Sequence, residues 1–101
     1  MANAEQLLIF IVPTELEDNI IDMLMLQPKL SGFNIKSIKG FSQEHSHFNM
    51  VEQVQGYREL SQFEILTNDE STEPLLQKLK PICSALKIRY WFIPVIESGH
   101  F

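Results

Sequence analysis

The run Leu7-Leu8-Ile9-Phe10-Ile11-Val12 constrains the fold more than any other stretch of this chain. Every position is apolar, β-branched residues recur in it, and Pro13 stops it. A helix needs more length, so the run reads as a short strand, and a strand without polar alternation is buried on both faces. The segment Ile88 to Ile96 makes the same demand. Tyr90, Phe92 and Ile96 share one parity there, and Trp91, Ile93 and Val95 share the other. Pro94 cannot donate to a ladder, which places this strand at a sheet edge or a bulge.

The pattern between these two runs supplies the remaining elements. Thr14-Glu15-Leu16-Glu17 has the form of a capping box, with Thr14 accepting from the Glu17 backbone N–H and Glu17 reaching back. Leu16, Ile20, Met23, Leu24 and Gln27 then follow helical spacing, with Glu17, Asp18 and Asp22 on the wet side, until Pro28 ends the helix. Phe33 to Phe41 is a second strand, with Phe33, Ile35 and Phe41 on the same face as Ser37 and Lys39. Tyr57 to Thr67 is a third, with Tyr57, Phe63 and Ile65 on one parity and Leu60 and Leu66 on the other. Asn68 to Pro74 is a turn that starts a helix. Leu75, Leu76, Leu79, Ile82, Cys83 and Leu86 form that helix's stripe, and Pro81 is expected to kink or split it. The order β-α-β-β-α-β, closed by right-handed crossovers, predicts an α+β ferredoxin-like sandwich. Its four-stranded antiparallel sheet carries two helices on one face. At 101 residues, the chain 1–101 reads as a single domain.

Two helices cover only one face of such a sheet. The other would expose a large patch of Ile, Phe and Trp, which is unusual for a monomer. Burial against further copies, in a closed homo-oligomer, resolves this. The alternative is that the tail from Glu97 to Phe101 or a long loop folds over the face.

Composition narrows the function classes. The net charge is −5, from 13 acidic and 8 basic residues, and the Lys and Arg are scattered, which disfavours nucleic acid. The single cysteine, Cys83, excludes an internal disulfide, consistent with a reducing compartment. The N-terminus lacks a basic leader region and the apolar run is too short to span a bilayer. The expectation is therefore a cytoplasmic protein without membrane insertion.

Ser42 to Gly56 lacks a strand pattern and lies where a tight hairpin would have sufficed. Connections in compact domains usually run about 4–6 residues, and longer ones tend to carry function. This one holds His45-x-His47. In extended backbone, residues two apart point the same way, so both imidazoles can reach one ion. Glu44, Glu52 or Met50 could complete the set. Imidazole suits copper, zinc and nickel, and a thioether favours Cu(I). The competing reading is two solvated histidines. Phe48, Val51 and Glu52 fall in a stretch able to form a helical turn and dock on a partner, or to pack on their own domain.

Elsewhere, Cys83 falls in a helix stripe and reads as a small inert hydrophobe. The pairs Glu15/Glu17 and Asp69/Glu70 sit at helix starts, where they complement the dipole. No Gly-rich phosphate loop is present and no reactive group has a tuned partner, so an enzyme is not expected.

Lys39-Gly40-Phe41 before the long loop and Gly56-Tyr57-Arg58 after it resemble the flanks of the T-loop in PII signalling proteins and their CutA-type relatives. Glu52-Gln53-Val54-x-Gly56 and the ending Tyr90-Trp91-x-x-Pro94-Val95-x-Glu97-Ser98-Gly99-His100 resemble a small uncharacterised PII-like family, whose members are often encoded beside heavy-metal efflux pumps. This resemblance implies a trimer with the sheets facing the threefold axis. It also implies a regulator that binds an effector between subunits and engages a transporter or efflux-pump component through its loop. The Gly-rich ATP segment of PII proteins is absent, because Leu86 runs directly into Lys87-Ile88-Arg89. The leading expectation is thus a signal-transduction protein binding a transition metal through His45, His47, Glu44 and Met50. The alternatives are a sensor of a small anion or nucleotide using Lys39, Arg58 and Arg89, and an adaptor without ligand.

Overall fold

A computed structural model describes residues 5–41 and 56–101. Strand β1 spans Glu5–Pro13, helix α1 Glu17–Met25, β2 Phe33–Gly40, β3 Arg58–Asn68, α2 Thr72–Cys83 and β4 Arg89–Pro94. A 3-10 turn, Thr14–Leu16, precedes α1, and another, Ser84–Leu86, follows α2. The strands form one antiparallel sheet in the order β2-β3-β1-β4. This is the expected βαββαβ arrangement, and β4, with its Pro94, lies at the sheet edge.

Register sorts the side chains onto two faces. On one, Leu8 lies opposite Ile65 and Phe92, and Phe10 lies opposite Phe63 and Tyr90. Both helices pack here: Ile20 and Leu24 of α1 and Leu75 and Leu79 of α2 join Leu8, Phe10, Val12, Phe63 and Ile65 in one buried core. Phe10 and Phe63 stack with ring centroids 5.0 Å apart. Beside them Ser61 is fully buried, and its hydroxyl donates to the Glu17 carboxylate at 2.7 Å.

Three local expectations are corrected. Thr14 does not cap α1: its hydroxyl donates to the Glu59 carbonyl at 3.1 Å, and the Glu17 backbone N–H bonds the Thr14 carbonyl in the 3-10 turn instead. The Glu17 side chain, engaged by Ser61, does not reach back to that turn or stand on the wet side. Leu86 leaves the stripe of α2, because the helix ends at Cys83 and the tighter turn carries Leu86 outward, about half exposed. Pro81 lies inside α2, in its last turn. The helix start is set by Asn68, whose side-chain oxygen accepts from the backbone N–H groups of Glu70 and Ser71.

Candidate functional site

Among the described residues, no helix lies over the second face of the sheet. Across it run the row Ile93–Leu7–Leu66, the row Trp91–Ile9–Glu64–Asn34 and the row Arg89–Ile11–Gln62–Lys36. Leu66 is 37% exposed, Trp91 36% and Ile93 43%. On the β2 side of this face Lys36 pairs with Glu64 at 3.3 Å, and the partly buried Ile38 lies opposite Leu60. The most exposed apolar side chains of the face, Trp91, Ile93 and Leu66, stand on β4 and β3. The segment 95–101 does not cover it. Val95 donates its N–H to the Glu5 carbonyl, Ser98 bonds the Glu5 carboxylate, and Ile96 and Phe101 remain fully exposed.

The long connection leaves from one end of the sheet, where β2 and β3 make a closed neck. Gly40 pairs with Arg58, and just beyond them the Phe41 and Tyr57 rings meet at 5.7 Å. The Lys39 ammonium lies 4.9 Å from the centre of the Tyr57 ring, a cation–π contact. Gly56 holds φ at +80°, a left-handed conformation natural to glycine. A Cβ on Gly40 would press on the tip of the Leu60 side chain, which a shift of that side chain would relieve. The Thr14–Glu59 hydrogen bond fastens the start of β3 beside the end of β1.

Of the residues singled out in the sequence, His45, His47, Glu44, Met50, Phe48, Val51 and Glu52 lie outside the described residues. Lys39, Arg58 and Arg89 all lie at the neck end of the sheet. They do not converge within one copy. Lys39 stands on the helix-covered side, whereas Arg58 and Arg89 stand on the open side. Arg89 shares a row with Gln62, four residues along β3 from Arg58 and two strands away, a separation on the order of 15 Å. The Arg89 guanidinium lies 5.9 Å from the Trp91 ring centre. Among the described residues, no group of three or more His, Cys, Asp and Glu side chains could hold a metal ion. None of their helices is long and apolar enough to cross a membrane.

A groove of about 400 Å³ lies between α2 and the β1–β4 edge, over Phe10, Leu76, Leu79 and Tyr90. Sequence reasoning missed it, because it depends on how far α2 stands from β4. Cys83 lines it, half-buried, and burial pushes its thiol up.

This sheet order, with both helices on one face and a long β2–β3 connection, defines the ferredoxin-like class shared by the PII and CutA proteins. Residues 2–101 match the family described as "Protein of unknown function (DUF3240)", and the chain belongs to that family. A DUF3240 family protein of Shewanella baltica OS155, known from a crystal structure, is 35% identical. The match covers 100% of this chain and 99% of that one, with a TM-score of 0.79. CPII, a nitrogen regulatory PII-like protein from Thiomonas intermedia K12 bound to ADP, AMP and bicarbonate, is 16% identical over 99% of this chain and 98% of its own, with a TM-score of 0.69. The periplasmic divalent cation tolerance protein CutA from Archaeoglobus fulgidus is also 16% identical, over 94% and 87% of the two chains, with a TM-score of 0.70. With these last two the likeness is one of fold. No curated protein matches the sequence.

Proposed function

We propose that this chain is a PII-like regulatory binding protein. It acts as a closed homo-oligomer, a trimer, that binds a transition metal through the loop 42–56 and is linked to metal efflux. The observation that carries the reading is the closed neck at residues 39–41 and 56–58, which presents the connection between β2 and β3 from one end of the sheet. The open apolar face supports assembly, since Leu66, Trp91 and Ile93 stand partly exposed on it and no described helix covers them. His45, His47, Glu44 and Met50 supply the donors. Two imidazoles with a thioether and a carboxylate suit copper, zinc or nickel. The divalent cation tolerance named for the CutA neighbour is of a piece with this chemistry. The reading contains no catalytic step, and it places the protein in the cytoplasm beside a transporter or efflux-pump component.

The test is the melting temperature of tag-free protein with Zn²⁺, Cu⁺, Cu²⁺, Ni²⁺, ATP, ADP, AMP and bicarbonate. A ligand that binds only the folded state raises it by mass action. The expected result is a rise with one metal that disappears in the His45→Ala/His47→Ala variant. An unchanged rise in that variant overturns the metal site.

A second reading has its own observation, the presence of Lys39, Arg58 and Arg89 together at the neck end. Copies packed side by side could bring Arg89 of one near the neck of the next and form an anion or nucleotide cleft, the ligand class seen on CPII. A rise with a nucleotide or bicarbonate, weakened by Arg89→Glu, would favour it.

A further inference from the structure

The groove between α2 and β4 and the segment 95–101 are complementary, yet within one copy the segment leaves β4 at the groove's Glu73 end, so that Ile96 is remote from Cys83. The groove follows α2 from Glu73 to Ser84, so it is about 16 Å long at the helical rise. Apolar side chains floor it. Lys80 and Lys87 stand toward the end where Cys83 lies, and Glu73 stands at the other. Segment 95–101 runs on past Glu5, beyond the end of β4 remote from Lys87. It carries two large apolar side chains, Ile96 and Phe101, that stand fully exposed. Their separation along an extended chain is about 17 Å, the length of the groove. Glu97 and His100 lie between them.

We infer that the groove receives the segment 95–101 of a second copy. Ile96 sits at the Cys83 end with Glu97 toward Lys80 and Lys87, and Phe101 sits at the Glu73 end with His100 beside that carboxylate. Charge fixes this direction, because the reverse would place Glu97 against Glu73. The docking rests on the self-assembly proposed above and adds to it a head-to-tail clasp, each copy's segment on the helix side of the next, separate from the open face.

The single native thiol makes the test direct, since Cys83 lines the groove. Full-length Ile96→Cys protein is oxidised with diamide, which takes up the two hydrogens as the disulfide forms, and is run on a non-reducing gel. The expected result is a shift of most of the chain into interchain species that are lost in Ile96→Cys/Cys83→Ser. Phe101→Cys, at the far end, is expected to show at least a tenfold smaller yield. Both positions are fully exposed, so neither change threatens folding. Light scattering on the wild-type protein separates the two failures. An oligomer without a Cys83-dependent cross-link overturns the docking alone, whereas a monomer overturns the assembly and the docking with it. Cross-linking from Phe101→Cys instead of Ile96→Cys overturns the stated direction.

Discussion

Gly56 holds φ at +80° with nothing within 4 Å of where a Cβ would stand. Gly56→Ala therefore tests backbone conformation without a steric clash. A left-handed position costs an L-residue roughly 1–2 kcal/mol, and urea unfolding is expected to show a loss of that size, smaller for Gly56→Asn. Cys83 yields a pH prediction. Burial raises its pKa in the folded chain, so the unfolded chain releases the proton first as pH rises. The stability this gives is complete below the ordinary thiol pKa of about 8.5 and falls as pH climbs through the raised folded value. Unfolding measured between pH 8 and pH 10 should show a shallower decline in Cys83→Ala. Iodoacetamide at pH 8 should modify the folded protein more slowly than the urea-unfolded chain.

At the level of elements, α2 runs through Pro81 to Cys83 and then tightens into a 3-10 turn. Proline in a helix interior costs about 3 kcal/mol relative to alanine, part of which is returned by its stiffening of the unfolded chain. Pro81→Ala is expected to raise stability by about 1–2 kcal/mol, read as a higher urea midpoint with an unchanged slope. The strands were legible in the sequence because their signal is local: apolar runs bounded by Pro and Gly, with a parity that survives in the final register. The start of α1 was not, because Thr14 finds its partner in Glu59, 45 residues away, outside any local window. Likewise the stripe through Leu86 is genuine at helical spacing, but the helix stops before reaching it. The three cations of the candidate cleft were each visible. Their separation was not, since it depends on β1 lying between β3 and β4.

For the whole molecule, the open face makes the firmest prediction. Trp91→Asp puts a charge beside Ile9 in the exposed apolar area while leaving the helix-side core intact. The expected outcome is an unchanged far-ultraviolet circular dichroism spectrum with a light-scattering mass that falls to that of a single chain. Retention of the oligomer would show that another surface holds the copies together. The gathering of the neck, Lys39, Arg58 and Arg89 at one end of the sheet has a further consequence. In a ring with one rotation axis, each copy presents that end at the same height along the axis. A partner with repeated sites would then meet several equivalent loops at once. Linked contacts of this kind gain 10²–10⁴ in avidity when the spacing fits. Individually weak, quickly reversible contacts would suffice to hold such a target, and a change in one loop would register as many times over as there are copies in the ring.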